Sequence, residues 1–107
     1  MAKALIKASY SVDGLKGLMK AGGTSRVKAV ERALAGVGGS LESFYFAFGG
    51  DDVYIIADVP DYSAAIAMAA AVSSTGAIKH YETVILLTPS EVDKAMNVTV
   101  DYAPPGA

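Results

Sequence analysis

The chain has 107 residues, of which 52% are hydrophobic and 19% are charged, and its nine basic and eleven acidic side chains give a net charge of −2. This near balance provides no field that would attract nucleic acid or an anionic membrane, so neither is expected as a partner. The absence of cysteine excludes disulfides, thiolate catalysis and cysteine-ligated metal sites.

The length predicts one domain over residues 1–107, which buries roughly two-thirds of the surface that the unfolded chain exposes. The apolar content is high for a domain of this size, so part of the apolar surface is expected to contact another chain. The N-terminal "MAKALIKASYS" lacks the apolar region of a signal peptide, and the apolar run 64–72 is too short to span a bilayer. These features predict a cytoplasmic protein.

The first half of the chain begins with alternating apolar and polar residues over Lys3–Tyr10, which predict a β-strand. A loop is predicted next, although it carries three apolar residues at helical spacing: Leu15, Leu18 and Met19. An amphipathic helix follows, capped by Thr24 or Ser25. Its end is predicted at a cluster of glycines, which can adopt the left-handed conformation that closes a helix: Gly36, Gly38 and Gly39.

Two further strands, 41–48 and 53–58, are predicted from their aromatic and β-branched residues. The residues between them, Gly49-Gly50-Asp51-Asp52, are typical of a short hairpin connection. We therefore interpret Asp51 and Asp52 as turn-forming residues. A catalytic acid or base needs a buried setting that a hairpin tip rarely provides.

The second half begins with an alanine-rich helix from Pro60-Asp61, which Gly76 ends. A fourth strand is predicted over His80–Leu87. The segment "TPSE" predicts a capping box, with Thr88 as the cap and Glu91 reaching back to it, followed by a short helix to about residue 97. Residues 98–107 are predicted to form an extended C-terminal arm, with disorder as the alternative.

The order of these elements predicts an α+β, ferredoxin-like βαββαβ fold with a four-stranded antiparallel sheet. Two helices can cover only one face of such a sheet. The residues expected beneath the helices are Ala4, Ile6, Ala8, Val53, Ile55 and Ala57, and those expected on the opposite face are Leu5, Lys7, Tyr54, Ile56 and Asp58. Because a large exposed apolar patch is unusual in a monomer, we expect the second face to meet another copy, giving a dimeric α+β barrel.

The segments "GGTSRVKAVERAL", "GGSLESFYFAFGGDDVYIIADVPD" and "LLTPSEVDKA" resemble the GYD domain family, small bacterial proteins of the dimeric α+β barrel superfamily. The Gly-Tyr-Asp element of that family reads Gly50-Asp51-Asp52 here, so tyrosine chemistry is not expected at this point. The resemblance implies a ferredoxin-like fold and self-association. Relatives in the wider superfamily include cofactor-independent oxygenases, haem-degrading enzymes, isomerases and small-ligand sensors, whose sites usually lie between the open sheet face and flanking helices.

Candidate ligand-binding residues lie on the predicted open face and at its edge. Lys7, Tyr54 and Asp58 share that face, where they could orient a polar ligand or form an ion pair within the dimer. The single histidine, His80, could act as a haem ligand or general base, or be an exposed strand-end residue. No metal site is predicted, because one histidine without HxH or HExxH spacing does not supply a ligand set.

A candidate anion site lies where the first predicted helix begins, within the basic segment 16–32. Free amides and the helix dipole favour an anion there, and the alternative is a capped helix with a solvated basic face. The residues of this candidate site are Gly22, Gly23, Thr24, Ser25 and Arg26.

These features together predict a homo-oligomeric protein that binds a small molecule without a cofactor, or one that has only an assembly role. The alternative is a cofactor-independent oxygenase or isomerase that acts on a small apolar or aromatic substrate. Tyrosine, lysine, aspartate or His80 would then serve as acid and base. The sequence leaves open whether the protein is an enzyme.

Overall fold

Four strands and four helices make up the computed structural model, which describes residues 1–106. In chain order they are β1 (Ala2–Tyr10), α1 (Val12–Ala21), α2 (Gly23–Gly36), β2 (Ser40–Phe46), β3 (Val53–Val59), α3 (Tyr62–Ser73), β4 (Ile78–Leu86) and α4 (Pro89–Met96). The strands form one antiparallel sheet in the order β2-β3-β1-β4. This arrangement confirms the predicted ferredoxin-like fold. The predicted C-terminal arm ends at Ala107, which lies outside the described residues.

The core lies between the helices and one face of the sheet. The sheet residues of this core come mainly from its two central strands, β1 and β3. In their register Ala4 lies opposite Ala57, Ile6 opposite Ile55, and Ala8 opposite Val53. All six side chains are buried, as the alternation predicted. Leu34 of α2 and Met68 of α3 pack onto this layer from above. Burial of side chains as large as these contributes about 1.5–3 kcal/mol each.

The segment after β1 is a helix, so the predicted loop is wrong. Ser11 is the N-cap of α1, and its Oγ accepts a hydrogen bond from the Gly14 N–H at 3.1 Å. The same residue fastens the helix to the α3–β4 connection, because its N–H donates to the Ala77 carbonyl at 2.9 Å and its Oγ to the Gly76 carbonyl at 2.6 Å. Gly22, with φ of 84°, ends α1.

The boundaries of α2 agree with the prediction at one end only. Gly22 is the N-cap and provides no side-chain bond, so neither Thr24 nor Ser25 caps the helix. The Ser25 hydroxyl instead donates to the Gly22 carbonyl at 3.0 Å, inside the first turn. The helix ends at Gly36 as predicted, and Gly38 follows with φ of 81°.

The later helices begin as the sequence predicted. Asp61 caps α3 by accepting from the Ala64 N–H at 2.9 Å. In the capping box of α4, Glu91 Oε1 accepts from the Thr88 N–H at 3.0 Å, and the Glu91 N–H donates to Thr88 Oγ1 at 3.2 Å. Hydrogen bonds to the Glu91 carboxylate from the backbone N–H and the side chain of Thr88 lower the pKa of Glu91. Over residues 1–106, no helix has both the length and the apolar character needed to cross a bilayer.

The segment from Leu87 to Gly106, which we call the C-terminal segment, extends away from the rest of the chain and is exposed throughout. The molecule is consequently 57 Å long, with a radius of gyration of 16.9 Å. A chain of this length folded into a sphere-like domain has a radius of gyration of about 13 Å. The segment nevertheless carries exposed apolar side chains: Leu87, Val92, Met96, Val98, Val100 and Tyr102.

Candidate functional site

The open face of the sheet has an apolar centre between two charged ends. Leu5 lies opposite Ile56 on one side and Val84 on the other, so these three side chains form a row across the sheet. All three are only half-buried. On the outermost strand Tyr45, which pairs with Tyr54, extends the apolar surface. The open face predicted from β1 and β3 is therefore observed, and the register assigns the outer-strand residues that the sequence left open.

The predicted set of Lys7, Tyr54 and Asp58 is only partly brought together. Lys7 of β1 lies directly opposite Tyr54 of β3. Asp58 is four residues beyond Tyr54 on β3, where it lies opposite Lys3. At about 3.3 Å per residue that is about 13 Å away. Within one chain Lys7 Nζ lies 3.4 Å from Glu82 Oε2 and 3.8 Å from Asp51 Oδ2, so these carboxylates and not Asp58 are its ion-pair partners there. A Lys7–Asp58 pair between copies in the dimer stays a prediction.

Asp58 takes part in a different cluster, centred on Lys3, which the sequence did not indicate. Lys3 Nζ lies 2.7 Å from Glu42 Oε1 and 3.0 Å from Asp58 Oδ1. The hydrogen bonds to Glu42 and Asp58 raise the pKa of Lys3. Glu42 is the extra residue of a β-bulge, since the pairing of β2 with β3 passes from Leu41 directly to Ser43.

His80 is exposed near the start of β4, opposite Ser9. It lies on the same sheet face as Lys7, whose neighbours are Glu82 and Asp51. The proposed ligand-binding role of His80 therefore stays a prediction.

The hairpin connection after β2 folds back over the end of β1. Asp51 is buried, and its Oδ1 accepts from the Ser9 hydroxyl at 3.1 Å. Asp52 donates its N–H to the Ala8 carbonyl at 2.9 Å, and its Oδ2 accepts from the Tyr10 N–H at 2.9 Å. The last bond falls where a bulge in β4 shifts the β1–β4 register between Ser9 and Tyr10. These two carboxylates therefore hold the connection in place and fix the backbone of Tyr10.

Replacing Asp52 with alanine is expected to destabilise the protein by about 1 kcal/mol, because the Tyr10 N–H loses its acceptor. Asp52→Asn keeps a carbonyl oxygen at that position and should recover most of the loss. Urea unfolding followed by circular dichroism measures both variants. Equal losses for alanine and asparagine would contradict a hydrogen-bonding role for this side chain.

A cleft lies on the helix side of the sheet, and of its polar lining residues the sequence analysis identifies Arg26 but not Tyr10. The cleft lies between α1, α2 and α3 and has a volume of about 420 Å³. A neighbouring cavity of about 370 Å³ lies between α1 and the end of β2, and a small one of about 60 Å³ lies beneath, against the sheet. Tyr10 lines all three spaces, and Arg26 lines the cleft and the small cavity.

Tyr10 and Arg26 are the polar centre of this cleft. Burial raises the pKa of Tyr10 above its ordinary value of 10.0, and the nearby Arg26 guanidinium opposes the rise. The Tyr10 hydroxyl is therefore protonated at neutral pH and can donate a hydrogen bond. Beneath them, burial also raises the pKa of Tyr81, although a hydrogen bond with Thr83 opposes it.

The predicted anion site at Gly22–Arg26 is divided by the fold. The Gly22 N–H donates to the Leu18 carbonyl at 2.8 Å and is not free to hold an anion. Arg26 lines the cleft beside Tyr10. Anion binding by Gly23, Thr24 and Ser25 stays a prediction.

Comparison with solved structures supports the fold. The chain is similar to the crystal structure of MtbAldR, with a TM-score of 0.61 and 15% sequence identity over 81% of this chain. The match covers 52% of that protein, so the chain spans about half its length. No curated protein matches the sequence. The sequence profile of the GYD domain matches residues 5–96, which is most of the chain. The protein therefore belongs to the GYD domain family.

Proposed function

We propose that this protein is a homo-oligomer that binds a small molecule in the cleft between its helices and its sheet. The observation that supports ligand binding is the Tyr10–Arg26 pair within mostly apolar walls. Leu18, Met68 and Val72 contribute to those walls. A cleft of about 420 Å³ is within the range of about 300–1,000 Å³ that is usual for small-molecule sites.

Self-association is supported by the open face of the sheet. The row of Ile56, Leu5 and Val84 is apolar, and the charges at both ends are already paired within the chain. A second copy could therefore cover the row without burying an unpaired charge. Stacking two such faces would produce the dimeric α+β barrel.

The C-terminal segment can supply the remaining interface area. Four strands of seven or nine residues, about 4.8 Å apart and rising about 3.3 Å per residue, cover only about 500 Å². A stable dimer usually buries about 800 Å² on each partner. The exposed Val92 and Met96 of α4, with Tyr102 beyond them, would add apolar area if the segment lay across the second copy.

Native mass spectrometry of protein taken directly from cells tests the proposal, because it reports copy number and retained small molecules together. We expect a dimer or larger oligomer that carries a small organic molecule. Ala33→Phe should abolish the retained mass, since Ala33 lines the cleft. Ala35→Phe is the matched control, because Ala35 is another exposed alanine of α2 outside the residues that line the cleft. Retention that is identical in both variants would place the ligand elsewhere, and a ligand-free monomer would overturn the proposal.

The alternative, a cofactor-independent oxygenase or isomerase, would use the same cleft. The raised pKa of Tyr10 keeps its hydroxyl protonated at neutral pH, so it can donate a hydrogen bond but is a weak catalytic acid and is not available as a base. Incubation of the recovered molecule with fresh protein distinguishes the two functions, because an enzyme would convert it and a binding protein would return it unchanged.

A further inference from the structure

We infer that the cleft binds a small carboxylate with an apolar body, whose carboxyl group is held by Arg26 and the Tyr10 hydroxyl. This inference rests on the proposed function and specifies the chemical class of its ligand. The two side chains that meet in the cleft offer hydrogen-bond donors, while the walls around them are mostly apolar. A group that accepts hydrogen bonds at one end and is apolar elsewhere matches this arrangement.

The positive charge of Arg26 is available to a ligand. Every ion pair that the structure describes within 4.0 Å involves Lys3 or Lys7, so no carboxylate of residues 1–106 neutralises Arg26. The side chain is only half-exposed and lines both the cleft and the small cavity beneath it. A guanidinium group presents parallel N–H donors that fit the two oxygens of a carboxylate, and a partly buried setting strengthens such a bond.

Tyr10 supplies a second donor at a fixed position. Its backbone N–H is held by Asp52 at the β4 bulge, and the residue lines the cleft and both adjoining cavities. Because the hydroxyl stays protonated at neutral pH, it can donate to an oxygen that Arg26 also binds. A neutral ligand would leave the charge of Arg26 unmatched, whereas a carboxylate would neutralise it.

The acidic side chains near the cleft do not occupy this position. Asp13 lines the cleft but is exposed at the start of α1, with no ion pair to Arg26 within 4.0 Å. Asp52 lines the neighbouring cavity, and its Oδ2 already accepts from the Tyr10 N–H. The apolar body of the ligand would therefore lie against Leu18, Met68 and Val72.

Titrations with matched pairs of probes test this inference. The carboxylates are 3-phenylpropanoate and hexanoate, and the neutral counterparts are 3-phenylpropanamide and hexanamide, each followed by NMR chemical shifts of the purified protein. We expect each carboxylate to bind about tenfold or more tightly than its amide, because charge-assisted hydrogen bonds are roughly twice as strong as neutral ones. Arg26→Gln should remove this preference while the amides still bind. Arg32→Gln, an exposed position of the same helix, is the matched control and should keep it.

A second variant separates the contribution of Tyr10. Tyr10→Phe should weaken carboxylate binding several-fold and leave amide binding less affected, because the ring and its packing are retained. Equal affinity of the wild-type protein for carboxylate and amide would overturn the inference and leave the proposed function standing. A preference that survives Arg26→Gln would also overturn it. Failure of all four probes to bind would count against both the inference and the proposed function.

Discussion

Gly14→Ala is expected to destabilise the protein by about 3 kcal/mol. A Cβ atom at this position would overlap the carbonyl oxygen of Ala77, which belongs to the backbone and cannot rotate away. The Ser11 bonds to Ala77 and Gly76 hold α1 against this connection, so relief requires the whole helix to move. Urea unfolding should therefore show a lower midpoint, and the ligand site should be perturbed because α1 forms one wall of the cleft.

Gly17→Ala is the matched control for this prediction. Gly17 lies one turn further along α1, and a Cβ atom there would meet no atom within 4 Å. Alanine favours a helix by up to about 1 kcal/mol relative to glycine, so this variant should be as stable as the wild type or more stable. Similar losses of stability for the two variants would show that the close approach to Ala77 is not what requires glycine at position 14.

Leu5→Glu is expected to convert the proposed dimer into a folded monomer. Leu5 is the centre of the apolar row on the open face, and a carboxylate there would be hydrated in the monomer but buried beneath a second copy. The two lysines that flank it on the same face, Lys3 and Lys7, are already paired with acidic side chains. Burying a charge without a partner costs about 3 kcal/mol or more, which weakens association at least about a hundredfold.

Sedimentation equilibrium measures this change, and circular dichroism verifies that the variant is folded. Met19→Glu is the control, because Met19 is an exposed apolar residue of α1, 78% accessible, and does not belong to the sheet. It should leave the oligomeric state unchanged. A Leu5→Glu protein that still dimerises as tightly as the wild type would mean that the open face is not the contact between copies.

The sheet could be predicted from sequence because alternation in β1 and β3 determines which residues face the helices. The same information did not reveal α1. Glycines at positions 14 and 17 lower the helix propensity of this segment. Gly14 is needed because a side chain there would collide with the backbone of Ala77. The predicted cap of α2 was also wrong, because Ser25 lies inside the helix and its hydroxyl donates a hydrogen bond to the Gly22 carbonyl.

The candidate site was less predictable because distant segments form it. Tyr10 and Arg26 are sixteen residues apart, and they meet only because α1 ends at Gly22 and α2 runs back over the sheet. The Lys3–Glu42 contact depends on a bulge that changes which side chains share a face. Neither a change of register nor the direction of a returning helix has a signature in apolar spacing, so composition and periodicity gave the fold more fully than the site.

The positions of the two register shifts bear on how copies of the chain can join. One extra residue lies on β2 and the other on β4, and these are the two outer strands. An outer strand exposes unpaired N–H and C=O groups that another chain can extend into a continuous ribbon, and an irregular spacing of those groups opposes such growth. Two copies can therefore still stack through the open face of the sheet, whereas edge-to-edge pairing of outer strands is opposed. This favours closed oligomers over fibres.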